Sequence, residues 1–417
     1  MMVKQVEDEG KSGIHFQNEL SWKQLREEAR KENKYIFIDC FATWCGPCKY
    51  MDKNVYSNNS VSACVDSHFL SVKVQMDTTS LDSKEIQSWY SDAHAIQQDY
   101  KVTSLPTYLF FSPDGKIVHQ GSGACNREDF ISLVRNACNP DKQYFTLLEK
   151  YKSGSADIRL LPYLARMAKN LKEVDVANSV ARFYCQNYLF KLSEEELSIK
   201  RYIEFVSTFR QVLNSKDKYF DLFYRCGDKV DSIMGVKGLS QSIVDDIITS
   251  EEITPVLENA YKNRLDPRWS KMYRGIKAKY GMDHAARNVL SAKVRFYEHE
   301  KNWRKHITNF VNQVEQYGVG NSIVDFFLNN DAWYVFQHSN RRYELNKALT
   351  WTERAIQISE KPNAAYLDTR ANVLYKLGHK EAAIAIDEIA VKIDPDDIEI
   401  KENLKKMKKG EPTWLPK

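Results

Sequence analysis

The sequence predicts a two-part fold: an α/β domain over residues 1–140, with a mixed sheet flanked by helices, then an all-α region over 141–410. Three observations predict it. Aromatic and β-branched runs alternate with helical apolar spacing in the first third of the chain. Strand signals stop after Asn139-Pro140-Asp141. Only 16 Gly and 11 Pro punctuate 417 residues, which favours helices over a large all-β fold. A chain this long exceeds one ordinary core, so two or three domains are expected.

The elements follow in order. Residues 19–33 place Leu20, Trp22, Leu25 and Ala29 at helical spacing. Residues 35–42 (YIFIDCFA) read as a buried strand, and Cys45 follows in a turn that opens a helix. A short helix is expected at about 61–67, a second strand at 69–76 and a helix at 84–99. Residues 107–111 and 117–120 read as strands joined by the turn sequence Ser112-Pro113-Asp114-Gly115, and 127–137 as a closing helix. Beyond the boundary, segments near 143–152, 156–169, 172–188, 194–213, 215–226, 241–261 and 267–280 show helical spacing. The expected division is 1–140, a helical domain 141–330, and helical hairpins 331–410 that continue it.

Composition narrows the function. The net charge of +4 is small against 60 basic and 56 acidic residues, so nothing favours nucleic acid or an anionic membrane. No apolar run approaches the roughly 20 residues of a membrane span. The N-terminal stretch 1–16 is polar, with no apolar signal core. That leaves two compartments open. The doubled Met fits a start placed on a mature cell-envelope domain after signal removal, and equally a cytoplasmic start.

Eight cysteines in 417 residues do not make a small secreted disulfide framework. Cys45 and Cys48 alone are closely spaced; Cys40, Cys64, Cys125, Cys138, Cys185 and Cys226 read as small buried apolar residues. A dithiol with two intervening residues at a helix start has its own chemistry. Unpaired N–H groups and the helix dipole favour a thiolate at Cys45, the attacking group. Cys48, one turn on, can resolve the mixed disulfide. Pro47 costs the first turn little and limits the donors available to Cys45, which leans the couple towards reduction. Structural zinc would need a second ligand pair, and neither the other cysteines nor the nine His supply a convincing one. No cofactor or metal is expected.

Residues 35–50, YIFIDCFATWCGPCKY, resemble the active-site strand and helix of the thioredoxin family, with Trp44 before the dithiol and Lys49 after it. Ser104-Leu105-Pro106-Thr107 matches the family's cis-proline loop, and the resemblance covers about 19–138. It implies a thioredoxin fold and four further roles. Asp39 would be a buried acid exchanging a proton with Cys48. Lys73 would be its neighbour, rather than an exposed strand residue. Pro106 would be cis, leaving the Leu105 backbone to pair with an extended substrate beside Trp44, Gly46 and Pro47. Gly121 and Gly123 would keep the adjoining surface low. Phe41 in place of the usual Trp, the extra short helix and the long segment before Pro106 are similar to thioredoxin-like domains of cell-envelope thiol–disulfide interchange proteins.

Near the C-terminus, Leu367, Ala371, Leu374, Gly378, Ala383, Ala390 and Pro395 resemble a tetratricopeptide unit, with a weaker one at about 330–362. A generic helical hairpin is the plainer reading. The expected function is a protein-disulfide oxidoreductase, a reductase first, with the helical region recruiting partners. Its partners would be client disulfides and an upstream electron-donating thiol protein. A disulfide isomerase and a non-catalytic binding scaffold are the alternatives; the intact set of Cys45, Cys48, Asp39 and Pro106 argues against the scaffold.

Overall fold

The computed structural model describes residues 13–318 and 324–414. The polar segment 1–12 therefore lies outside the described residues, whereas the expected boundary at 330/331 falls inside the helix Val324–His338. By compactness the chain divides into two units, Met1–Lys237 and Gly238–Lys417.

The first unit opens on α1 (Trp22–Glu32), started by a capping box between Ser21 and Gln24 and ended by Asn33 in the left-handed region. β1 (Tyr35–Phe41) follows, then α2 (Gly46–Met51), which runs through a π turn at 52–56. Next come α3 (Asn59–Asp66), β2 (Phe69–Gln75), α4 (Lys84–Ser88), α5 (Tyr90–Asp99), β3 (Thr107–Phe111), β4 (Ile117–Ser122) and α6 (Arg127–Ala137). The sheet order is β2-β1-β3-β4. β1 pairs parallel with β2 and antiparallel with β3, and β3 pairs antiparallel with β4. This is a thioredoxin fold.

Because β1 is central it is buried on both faces. Ile36 and Ile38 meet Leu109 and Val72 on one side; Phe37 stacks on Phe110 at 5.1 Å and meets Phe130 edge-on at 5.9 Å on the other. β2 would be an exposed edge, but Phe16 bridges Ser71, the Gln17 N–H bonds the Ser71 carbonyl, and Asn18 accepts from the Lys73 N–H.

The expected helix 84–99 is two helices. Trp89 breaks it: its N–H turns tightly back to the Ile86 carbonyl, and its ring is buried in the core. Likewise 194–213 divides at 198–199, where the capping box of Ser193 and Glu196 starts a short helix that ends before Lys200–Thr208 begins.

After α6 the first unit continues in helices, beginning with α7 (Tyr144–Lys152), α8 (Leu161–Asn170) and α9 (Val174–Asn187). α7 is tied to β4 by the Tyr144 N–H, which donates to His119 Nδ1 at 2.9 Å, and by the Lys116–Glu149 ion pair.

The second unit is helical throughout its described residues. Its last four helices are Arg342–Ile358, Ala364–Leu377, Lys380–Ile393 and Ile398–Lys409. Ala371 and Ala383 share one core, Ala364 and Ala390 another, and Gly378 ends its helix in the left-handed region. Among the described residues no helix is long and apolar enough to cross a membrane.

Candidate active site

β1 ends at Phe41 and the chain turns through 42–44 into α2. Asp77, just past β2, holds this turn: it accepts from the Thr43 N–H at 3.0 Å and from the Thr43 hydroxyl. Cys45 is the N-cap of α2, and its Sγ accepts from the Cys48 N–H at 3.1 Å. Pro47 has no N–H, so the Cys48 amide is the donor that reaches Sγ. Cys45 and Cys48 are joined as a disulfide, with Cα atoms 5.3 Å apart.

The disulfide is almost covered, at 2% and 3% exposure. Ala42, Phe41 and Leu105 pack around it. Trp44 stands out at 73% exposure, and Gly46 and Pro47 are exposed as well. The Leu105–Pro106 bond is cis. Pro106 is buried, and its carbonyl accepts from the Gly123 N–H at 2.9 Å. Among the described residues the backbone N–H and carbonyl of Leu105 make no hydrogen bond.

Gly121 departs from expectation. It is buried rather than at the surface, and a Cβ there would lie 2.7 Å from Leu133 Cδ2. Its role is close packing of β4 on α6.

Asp39 is 1% exposed on β1, with Lys73 Nζ 3.9 Å away on the paired residue of β2. Burial pushes its carboxyl up to about 7; Lys73 opposes the shift and Asp52 adds to it. The Tyr56 hydroxyl approaches Asp39 and favours its charged form, but without good hydrogen-bond geometry, so Asp39 Oδ1 and Tyr56 Oη are both buried and unsatisfied. Lys73 is largely covered. Its Nζ pairs with Asp52 and sits 4.7 Å from the Phe41 ring centre. Phe41 thus touches both groups of residues, the acid–lysine pair and the dithiol. A cleft of about 430 Å³ opens beside Lys73, lined by Phe41, Gln75, Ile86 and Trp89 among others. Ile86 and Trp89 come from the long segment between β2 and Pro106.

Asp52, Tyr56 and Asp77 are site residues that sequence reasoning missed. The spacing of Asp52 and Tyr56 from Cys48, one and two turns on, is their only signal; that of Asp77 is its place at a strand end.

The other cysteines divide. Cys40 and Cys185 are buried, whereas Cys64, Cys125, Cys138 and Cys226 are half-buried, less enclosed than expected. Burial raises Cys125 to about 11 and Cys138 and Cys185 to about 12, so these thiols stay protonated near neutral pH.

Residues 22–137 are a thioredoxin-like domain, matching the sequence model of that description. Its Cys45–Cys48 pair fits a two-cysteine redox site. The chain is 32% identical over 117 residues to the chloroplastic thioredoxin-like protein CITRX of Oryza sativa, which covers 27% of this chain and 50% of that one. It is 31% identical over 103 residues to the thiol:disulfide interchange protein DsbD of Colwellia psychrerythraea, 24% of this chain and 15% of that one. The chain therefore spans half or less of the length of these relatives. Among solved structures, a putative disulphide-isomerase from Bacteroides thetaiotaomicron aligns at 29% identity and a TM-score of 0.26, over 31% of this chain and 97% of that one.

Proposed function

We propose that the protein is a thiol–disulfide oxidoreductase that reduces protein disulfides through Cys45 and Cys48. The observation that carries this reading is Cys45 as the cap of α2, its sulfur receiving the Cys48 N–H. A negative sulfur is favoured there by the helix start. The Cys45 thiolate attacks a client disulfide, forms a mixed disulfide and expels one client thiolate. The Cys48 thiolate then attacks the Cys45 sulfur, frees the second client thiolate and leaves the Cys45–Cys48 disulfide. Two electrons pass to the client, and an upstream thiol protein restores the dithiol.

Asp39, poised near neutrality, takes the Cys48 proton, and Lys73 holds its charge. The Leu105 backbone beside Pro106 receives an extended client segment, flanked by Trp44, Gly46 and Pro47. Residues 1–140 do the chemistry in this reading. Residues 141–330 and the tetratricopeptide-like 331–410 present client-binding surface. A donor-poor Gly-Pro spacer favours reduction over isomerisation, and likeness to interchange proteins favours the cell envelope over the cytoplasm.

Insulin reduction tests the assignment. Cys45→Ser is expected to abolish it, and Cys48→Ser to accumulate mixed disulfides on non-reducing gels. Full activity in Cys45→Ser would reject the reading.

A further inference from the structure

The helical part of the first unit holds a pocket that the dithiol chemistry does not use. It measures about 340 Å³ and is lined from α8, α9 and the helix Lys200–Thr208. Its floor is aromatic. Tyr184 stacks on Tyr188 at 5.3 Å and meets Phe205 edge-on at 5.1 Å. Its rim is cationic, formed by Arg159, Arg166 and Arg201.

The guanidinium of Arg201 lies over the Tyr202 ring at 4.7 Å, and that of Arg166 over the Phe205 ring at 5.7 Å. A guanidinium over a ring gains a cation–π contact and still has five N–H donors, most of them free for other acceptors. Arg201 gives one donor to the Tyr202 hydroxyl at 2.9 Å, which in turn lies 3.1 Å from the Tyr188 hydroxyl. Of the nearby carboxylates, Asp157 holds Arg159, and Glu196 closes the capping box with Ser193 while keeping its charge near Tyr188. Among the described residues, Arg166 and Arg201 form no ion pair. Arg166 and Arg201 thus have no direct ion-pair partner, and they stand over a floor that lowers the local dielectric and strengthens any anion contact.

We propose that this pocket binds a small organic anion, a phosphate or carboxylate carried on a flat ring. The anionic oxygens take the in-plane donors of Arg166 and Arg201 bidentately, and the ring lies on the tyrosine floor. The volume is near the lower end of small-ligand pockets, roughly 300–1,000 Å³, and suits one ring with one anionic group.

Calorimetric titration of the full chain with phenyl phosphate and with benzoate tests this, against inorganic phosphate, benzylamine and the blocked peptide Glu-Tyr-Glu. At least one ring anion should bind more tightly than inorganic phosphate, and benzylamine should not bind; the preferred anion assigns phosphate or carboxylate. Arg166→Gln and Arg201→Gln should each weaken binding roughly tenfold, in chains that still unfold cooperatively. Should a Gln variant fail to fold, Arg166→Lys and Arg201→Lys keep the charge, lose the planar fork and should still weaken binding. Four results would overturn the proposal: no binding of either ring anion up to about 10 mM, equal binding of benzylamine, parental affinity in the variants, or tighter binding of the peptide, which would make the pocket a peptide site.

Discussion

Asp39 shows how one residue ties stability to chemistry. Its raised pKa of about 7 means that the folded state holds a proton which the unfolded chain would release near pH 4. The stabilisation is therefore fully present below the unfolded value and is lost as pH rises through about 7. Asp39→Asn keeps the site neutral, so its stability relative to the parent should rise between pH 5 and pH 9. The full shift sets an upper limit of about 4 kcal/mol on that gain. Activity should move the other way. Parent turnover should increase through about pH 7 as Asp39 becomes able to accept the Cys48 proton. The Asn variant should be slower by roughly tenfold to a hundredfold, with that pH step gone. Urea unfolding and insulin reduction across pH 5–9 check both, and an unchanged rate profile would make Asp39 purely structural.

At the scale of elements, two buried polar contacts hold helices in place. His119 on β4 receives the Tyr144 N–H that starts α7, and burial lowers its pKa to about 4. It is neutral when folded, so its contribution is present above the unfolded value near 6.5 and is lost as pH falls through about 4. His119→Ala should leave the Tyr144 N–H unpaired and cost on the order of 1–3 kcal/mol at pH 7. Urea unfolding measures the loss, and hydrogen exchange should be faster at the start of α7.

In the second unit, Asp368 and Asp387 are buried together. Asn372 and Asn403 donate to Asp368, while Asp387 faces Asp368 and receives no other donor. Burial raises both carboxyls, and Asp368 raises Asp387 further. Stability from this pair is greatest in acid and is lost as pH rises through the raised values. Asp387→Asn should make the thermal midpoint of Gly238–Lys417 less sensitive to pH between 5 and 9. An equal slope in parent and variant would show that the pair carries no proton.

At the scale of the molecule, the compact units suggest where to cut. A chain ending at Lys237 keeps the dithiol, the sheet and α7–α9, and removes the second unit whole. It should reduce insulin at close to the full-length rate and lose discrimination among natural protein clients. Competition between clients under limiting enzyme measures this, and preference that survives the cut would end the recruitment role of 238–417.

Local signals made much of the fold legible. YIFIDCFA reads as a buried strand and the Cys45-Gly46-Pro47-Cys48 turn as a helix start, because pattern and capping act over a few residues. The dithiol was visible for the same reason, whereas the cis Leu105–Pro106 bond was legible only through the resemblance of residues 104–107 to the thioredoxin family's loop. Tertiary structure decided what depends on neighbours distant in sequence. It broke the helix at Trp89, buried Gly121 against Leu133, set Asp52 on Lys73 and joined Tyr144 to His119. It also gathered Arg166, Tyr188 and Arg201 around one pocket. A side chain's partner across the fold is set by how helices pack, and packing is a property of the whole chain that no local window carries.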